Sequence, residues 1–211
     1  WAVDVPVVAD ADTGYGGPVN VARTVETYAA AGVAALHLED QRWPKRCGFF
    51  AGKEVVDLDE AVGRVRTAVD AAGPGGPVVI ARTDALAPHG WEEVERRAAA
   101  FAAAGAEVVF VDGLHDAGAA AECARRLDGL GVPLVYNGLL PVPDVRALGY
   151  RLVLHAAPML ALWADLRTRM AALHAHGALD VGSAPGAFLE LAEAVGLGDA
   201  DALRARYDAG S

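Results

Sequence analysis

Short apolar segments rich in β-branched residues alternate with longer amphipathic segments along most of this 211-residue chain. Six of the apolar segments have the length of β-strands, and each is followed by a segment with helical spacing of its apolar residues. The predicted strands cover residues 5–9, 34–38, 77–81, 108–111, 132–136 and 151–154. The predicted helices that follow them cover residues 18–31, 57–72, 91–104, 117–130, 143–148 and 158–177. This alternation predicts an α/β fold with a parallel sheet.

The composition is typical of one globular domain, with 54% hydrophobic residues and a formal net charge of −10. This acidic balance argues against nucleic acid or an anionic membrane as a partner. No apolar run is long enough to span a bilayer. The two cysteines, Cys47 and Cys123, form neither a disulfide framework nor a Cys-x-x-Cys metal site. We therefore expect a cytoplasmic protein in a reducing compartment.

Two parallel-sheet architectures are compatible with the alternation, a (β/α)8 TIM-type barrel and an open doubly wound sheet. No Gly-x-Gly-x-x-Gly follows the first strand, which argues against a dinucleotide-binding sheet. The polar residues that end the six predicted strands are Asp10, Glu39, Arg82, Asp112, Asn137 and His155. In a barrel such strand ends meet at one mouth, where the active site lies. An open sheet would spread them over about 25 Å, at about 4.8 Å per strand.

We therefore predict the TIM-type barrel. Only six strand–helix units are found, and the chain opens almost directly in a strand, so we expect the first two β/α units to be missing before Trp1. Residues 1–177 would then form barrel units 3 to 8, and residues 178–211 a C-terminal helical tail.

Acidic side chains at the predicted barrel mouth indicate a metal ion. Asp10 and Asp12 leave the first strand one residue apart, while Glu39 and Asp112 follow the second and fourth strands. Gathered negative charge is costly unless it is paired, and a hard cation such as Mg²⁺, or Mn²⁺, would balance it. The alternatives are a simple Asp-capped turn or neutralisation by nearby cationic side chains. Those side chains are Arg82, Lys45 and Arg46.

Cys47 is the candidate reactive group on the longest predicted loop, residues 41–56. Its neighbours Lys45 and Arg46 are cationic, and nearby cations favour a thiolate, so Cys47 could exchange a proton or attack a carbon atom. An incidental loop thiol is the alternative. Arg82 could hold a substrate carboxylate through two parallel hydrogen bonds.

Four motifs occur in register along the chain: Asp10-Ala11-Asp12-Thr13-Gly14-Tyr15-Gly16, Leu38-Glu39-Asp40-Gln41, Lys45-Arg46-Cys47-Gly48 and Ala81-Arg82-Thr83-Asp84-Ala85. In this order and spacing the chain resembles the isocitrate lyase/phosphoenolpyruvate mutase superfamily up to about residue 176. The Lys-Arg-Cys-Gly motif is similar to that of the branch with methylisocitrate lyase, dimethylmalate lyase and oxaloacetate hydrolase.

The resemblance implies a Mg²⁺ site in which Asp10 contacts the metal, and Asp12 and Glu39 contact it directly or through water. It also implies that Cys47 is the general acid on a mobile loop, with Lys45 beside it in the catalytic group. The residues that it implies for substrate binding are Arg82, Asn137, Asp112, Tyr15 and Gly48.

The activity implied is that of a Mg²⁺-dependent carbon–carbon lyase acting on a small 2-hydroxy or 2-oxo dicarboxylate of the methylisocitrate or alkylmalate type. Cleavage would leave an enolate-like intermediate that Cys47 protonates. Phe49 stands where the branch usually has histidine, which suggests a more apolar substituent on the substrate. The superfamily also forms dimers and tetramers, so we expect a homodimer or homotetramer that exchanges residues 178–211.

Two other functions stay open at this point. Within the fold, the chain could be a phosphonopyruvate- or phosphoenolpyruvate-type mutase or hydrolase, including an oxaloacetate hydrolase. Outside catalysis, it could be a non-catalytic member that acts as a binding or assembly partner. Three histidines, His115, His174 and His176, are expected at the surface.

Overall fold

The computed structural model describes residues 3–48, 50–179 and 184–207. Its strands are β1 (Val8–Asp10), β2 (Ala35–Glu39), β3 (Val78–Thr83), β4 (Val108–Val111), β5 (Leu134–Gly138) and β6 (Leu152–His155). Its helices are α1 (Pro18–Ala30), α2 (Leu58–Ala72), α3 (Leu86–His89), α4 (Trp91–Ala103), α5 (Ala117–Arg126), α6 (Val142–Ala147), α7 (Ala157–His176), α8 (Ala184–Ala194) and α9 (Leu197–Tyr207). The short helix α3 is the element that the sequence pattern did not predict. Phe49 lies outside the described residues, so its expected contact with substrate stays a prediction.

The six strands form one parallel sheet in the order β1-β2-β3-β4-β5-β6. This sequential order confirms the parallel sheet and argues for the barrel, because the strand order of a doubly wound sheet reverses at a switch point. Among the described strands, β1 and β6 are the edges of the sheet. The fold is therefore α/β and consistent with part of a TIM-type barrel, while the two further units stay a prediction.

Alternation of side chains along each strand gives the sheet two different faces. On one face Ala81, Val109 and Tyr136 belong to a large core cluster that includes the helix residues Val65 and Phe101. The buried residues of the cluster on the other face all come from strands. They are Ala35, Ile80, Val108, Phe110 and Val135. The helices therefore cover one face, and the opposite face is left to carry the site.

The chain divides into two compact units, Trp1–Ala157 and Pro158–Ser211. The first contains the sheet and helices α1 to α6. The second contains nearly all of α7, the helix predicted to complete the last β/α unit, together with α8 and α9. None of the described helices is both long and apolar enough to cross a membrane. The exchange of residues 178–211 between subunits stays a prediction.

The large cluster between the sheet and its helices should dominate stability. Phe101 in α4 is 1% exposed within that cluster, so Phe101→Ala should lower the free energy of unfolding by about 3–5 kcal/mol through lost burial and cavity formation. Phe50 is 65% exposed and gives a matched control, since Phe50→Ala should change the free energy of unfolding by less than about 0.5 kcal/mol. Urea unfolding measures both variants, and equal effects would contradict this description of the core.

Candidate active site

The strand face opposite the helices becomes charged towards the carboxyl ends of the strands. Arg82 follows Ile80 by two positions, and Asp112 follows Phe110 by two, so each charged residue continues the apolar row beneath it. Glu39 at the end of β2 lies opposite Arg82 in the parallel register. The strand pattern therefore does bring Glu39, Arg82 and Asp112 together, as the sequence predicted.

Arg82 lies at the centre of this charged group. Its Nε donates to Asp84 Oδ2 at 2.9 Å, and its Nη2 donates to Asp84 Oδ1 at 3.0 Å. Nε is also 3.3 Å from Glu39 Oε2, and Nη2 is 3.3 Å from Asp112 Oδ1. The guanidinium carbon lies 4.9 Å from the centre of the Phe110 ring. Arg82 is predicted to bind a substrate carboxylate through two parallel hydrogen bonds, and its Nε and Nη2 already make such a pair of bonds to Asp84.

Lys53 is a member of this group that the sequence did not reveal. Its side chain is 3% exposed, and its Nζ donates to Asp84 Oδ1 at 3.0 Å and to Asp112 Oδ2 at 2.7 Å. Burial lowers the pKa of Lys53, but the bond to Asp112 and the charge of Asp84 outweigh it and raise the pKa overall. Its partners lie 31 and 59 residues away along the chain, so local spacing carries no signal of these contacts.

The loop that carries Cys47 is held at its base by Gln41. Gln41 Oε1 accepts the backbone N–H of Arg46 at 2.9 Å, and Gln41 Nε2 donates to the Arg46 carbonyl at 2.9 Å. Nε2 also donates to Glu39 Oε1 at 3.0 Å. Gln41 pairs with Val55 in an isolated antiparallel bridge, which joins the two arms of the loop. Cys47 therefore lies near the tip of a loop whose base is ordered by hydrogen bonds.

Cys47 and Arg82 line the same small pocket, with a volume of about 100 Å³. A cavity of this size has room for a few water molecules or a small fragment of a substrate. The full set of lining residues is Cys47, Gly48, Arg82, Asp112, Gly113, His115 and Asn137. His115 is exposed, as expected, yet its place beside this pocket was not foreseen.

Three residues assigned to the site from the sequence have other surroundings. Tyr15 lines a different pocket with Trp43, and its hydroxyl is 3.3 Å from that of Tyr28. Lys45, expected beside the thiol, forms an ion pair with Asp12. Arg46, the other cation expected to activate Cys47, donates from Nη1 to the Ala51 carbonyl at 3.0 Å. Both cations therefore have partners other than the thiol.

The three carboxylates predicted to bind metal lie around Lys45. Asp10 Oδ1 accepts the N–H of Asp12 at 2.8 Å, and Asp12 adopts a left-handed backbone with φ of 50°. Lys45 Nζ pairs with Asp12 Oδ1 and lies 3.8 Å from Glu39 Oε1. In the part of the chain that the structure describes, no three His, Cys, Asp or Glu side chains are arranged to hold a metal ion. Protein cations therefore lie beside these carboxylates.

The donor atoms nonetheless fit a hard cation that keeps part of its water. Asp12 Oδ1 and Glu39 Oε2 are buried oxygens with no hydrogen-bond partner among the described residues, although each lies in an ion pair. Mg²⁺ commonly binds through one or two carboxylates and retains several waters, so it does not need three converging side chains. Asp10, Asp12 and Glu39 as metal ligands therefore stay a prediction that the chemistry of the site supports.

Burial sets the protonation of the two titratable groups at the end of β2. It raises the pKa of Glu39 to about 7, and the nearby Arg82 opposes that shift without cancelling it. Burial also lowers the pKa of His37, although Asp10 Oδ1 lies only 3.7 Å from its Nδ1. His37 is therefore neutral, and Glu39 in the same strand titrates near neutral pH.

Comparison with known proteins places these features in a family. The sequence profile of phosphoenolpyruvate phosphomutase matches residues 1–174. The chain belongs to this family. Within it, the chain is 36% identical over 183 residues to 2,3-dimethylmalate lyase of Eubacterium barkeri, covering 79% of this chain and 62% of that protein. It is 39% identical over 166 residues to probable 2-methylisocitrate lyase 2 of Corynebacterium glutamicum, covering 75% of this chain and 53% of that protein. The chain thus spans between half and two thirds of these relatives.

Solved structures in the family share both the fold and the sequence. Oxaloacetate acetylhydrolase, solved with the inhibitor 3,3-difluorooxalacetate, matches with a TM-score of 0.83 and 37% identity over 98% of this chain and 71% of that chain. Phosphonopyruvate hydrolase, solved with oxalate and Mg²⁺, matches with a TM-score of 0.78 and 29% identity over 97% of this chain and 74% of that chain. The superfamily inferred from the four motifs is confirmed.

The raised pKa of Glu39 predicts a pH-dependent contribution to stability. Its folded pKa of about 7 exceeds the ordinary glutamate pKa of 4.5, so the folded protein holds this proton more tightly than the unfolded chain. The contribution is present below about pH 4.5 and is lost as the pH rises through about 7. Relative to Glu39→Gln, which stays neutral, the wild type should lose about 3 kcal/mol between pH 4.5 and 8.

Urea unfolding at a series of pH values, in EDTA, measures this difference. Glu54→Gln is the control on an exposed carboxylate of the neighbouring loop, and its pH dependence should follow that of the wild type. Parallel stability curves for Glu39→Gln and the wild type would contradict the assignment.

Proposed function

We propose that this chain carries out Mg²⁺-dependent cleavage of a carbon–carbon bond in a small 2-hydroxy or 2-oxo dicarboxylate of the methylisocitrate or alkylmalate type. The observation that carries the proposal is the small pocket that Cys47, Arg82 and Asn137 line together. A thiol, a guanidinium and an amide around one cavity suit a substrate with carboxylate oxygens and a carbon atom that accepts a proton. The lyase names of two relatives support the reaction class.

Substrate oxygens would be held by Arg82 and Asn137. Since Asp84 takes the Nε and Nη2 donors of Arg82 and Asp112 lies 3.3 Å from Nη2, a substrate carboxylate would meet the guanidinium at Nη1. The buried Asp84 and Asp112 keep that guanidinium in one orientation before substrate arrives, which lowers the entropy lost on binding. The small volume of the pocket favours a short oxoacid fragment over a bulky ligand.

The metal, when bound, would supply Lewis-acid stabilisation of the negative charge that develops on substrate oxygens. Asp10, Asp12 and Glu39 are the residues that would hold it. Lys45 and Arg82, which already contact the carboxylates of this group, place further positive charge beside the reacting atoms.

Cys47 would complete the reaction as the proton donor. As the carbon–carbon bond breaks, the substrate hydroxyl would become a carbonyl and release its proton to water, and the electron pair of the broken bond would stay on the carbon next to a carboxylate. The Cys47 thiol would transfer its proton to that carbon and become a thiolate. Cys47 is exposed, so the thiolate can recover a proton from solvent between turnovers. A thiol that acts as an acid does not need an adjacent base, which agrees with Lys45 and Arg46 having other partners.

Hydrolysis of a related substrate is the second candidate. It is favoured by the match to oxaloacetate acetylhydrolase, whose TM-score of 0.83 is close to that of 2,3-dimethylmalate lyase at 0.84. Oxaloacetate in the same assay, with oxalate and acetate as the products sought, separates hydrolysis from lyase activity. A ³¹P NMR assay with phosphonopyruvate tests the mutase and phosphonate hydrolase alternatives.

The direct experiment measures release of pyruvate or glyoxylate from alkylmalates and methylisocitrate, with Mg²⁺ and with EDTA. We expect release from at least one substrate, with loss in EDTA and recovery on adding Mg²⁺. Turnover that EDTA leaves unchanged would contradict the metal, and no turnover of any of these substrates would contradict the lyase.

Replacement of Cys47 tests the proton donor. Cys47→Ser should lower kcat by about 100-fold or more, because a hydroxyl is a much weaker acid than a thiol and general acid catalysis contributes at least that much. Cys123→Ala is the control, since Cys123 is buried in the α5 core away from the pocket. Undiminished turnover by Cys47→Ser would remove Cys47 from the reaction.

A further inference from the structure

Lys53 and Arg82 share the same two carboxylates. Asp84 lies 3.0 Å from Lys53 Nζ and accepts both hydrogen bonds from the Nε–Nη2 edge of Arg82. Asp112 lies 2.7 Å from Lys53 Nζ through one oxygen and 3.3 Å from Arg82 Nη2 through the other. The four side chains therefore form a closed ring of alternating charge, which we call the charge ring. Its members are Lys53, Asp84, Arg82 and Asp112.

The charge ring joins parts of the chain that are otherwise separate. Arg82 and Asp84 come from the end of β3 and Asp112 from the end of β4, whereas Lys53 comes from the loop that carries Cys47. All four side chains are at most 10% exposed. Moving Lys53 away would leave buried, unpaired charges, which is costly. The bonds of Lys53 to Asp84 and Asp112 therefore hold this loop firmly at the strand ends.

Asp112 contacts the loop a second time, beside the thiol. A Cβ atom built on Gly48 would lie 2.7 Å from Asp112 Oδ1, so the backbone next to Cys47 packs directly against this carboxylate. Gln41 holds the base of the loop through Arg46. The tip is therefore held between two anchors, with Gln41 before Cys47 and Lys53 after it.

We propose that Lys53 is a positioning residue that seats the Cys47 loop on the two carboxylates that hold Arg82. When Lys53 is bonded to Asp84 and Asp112, the same carboxylates hold Arg82 and support Gly48, so the thiol and the guanidinium reach the pocket together. Without Lys53, Asp84 still holds Arg82 by two hydrogen bonds, and the loop loses its second anchor. The catalytic part of this inference depends on the proposed function, while the structural part does not.

Hydrogen exchange measured by mass spectrometry tests the structural part without any substrate. In Lys53→Met, exchange in peptides from residues 42–56 should accelerate by about tenfold or more, while exchange in α4 should stay within about twofold of the wild type. Glu54→Gln is the matched control, because the Arg42–Glu54 ion pair lies in the same loop but is exposed. Its exchange should equal that of the wild type, since exposed pairs contribute little.

Two results would overturn the proposal. One is unchanged exchange of the loop in Lys53→Met, and the other is equal acceleration in all parts of the chain, which would make Lys53 a general stability residue. Should Lys53→Met fail to fold, Lys53→Gln serves in its place, because its amide can still donate to one carboxylate.

Turnover tests the catalytic part. In the oxoacid-release assay, Lys53→Met should lower kcat by about tenfold or more with KM changed less than about threefold, because Arg82 keeps its bond to Asp84 while Cys47 loses its position. Equal kcat values in Lys53→Met and Glu54→Gln would overturn the proposed effect of Lys53 on catalysis. If the wild type itself releases no oxoacid, the proposed function fails, and hydrogen exchange still decides whether Lys53 holds the loop.

Discussion

The buried guanidinium of Arg82 is the group on which the rest of the site depends. A charge removed from water is costly unless it is paired and hydrogen-bonded, and Arg82 is paired with three carboxylates from three different strand ends. Those carboxylates, Glu39, Asp84 and Asp112, bring more negative charge than one guanidinium can balance. Lys53 and Lys45 supply the remaining positive charge, and both come from the loop after β2. Electrostatic balance therefore requires that the loop folds over the strand ends.

The parallel sheet makes this concentration of charge possible. Its helices bury one face, and an apolar cluster of strand residues fills the lower part of the other face. Along the described strands, the charged side chains of that face lie at the carboxyl ends, where residues on the helix side of the sheet support them. Asp40, for example, accepts hydrogen bonds from Thr83 Oγ1 at 2.7 Å and from the Asp84 backbone at 2.9 Å, and pairs with Arg97 of α4 at 3.0 Å. The strand that presents Arg82 is thus fixed from its helix side.

Much of this arrangement can be predicted from the sequence, because it follows from local periodicity. The six strands, the polar residue at each strand end and the meeting of Cys47 with Arg82 and Asn137 all follow from the alternating pattern and the motifs. Contacts made by long side chains across the fold could not be predicted in the same way. Asp84 lies two residues after Arg82, and the motif that contains both does not indicate that they are hydrogen-bond partners. Lys53 reaches carboxylates far along the chain, and Lys45 forms an ion pair with Asp12, a partner that the spacing does not indicate.

The proposed function depends most directly on one divalent cation held by Asp10, Asp12 and Glu39, and titration of Mn²⁺ into the chain, followed by electron paramagnetic resonance, tests it. The account predicts about one bound Mn²⁺ per chain that Mg²⁺ displaces, with affinity lowered by about tenfold or more in Asp12→Asn. Asp70→Asn, on the exposed side of α2, should bind as the wild type does. No bound Mn²⁺, or equal binding in Asp12→Asn and the wild type, would contradict the account and leave Lys45 and Arg82 as the charges that balance the site.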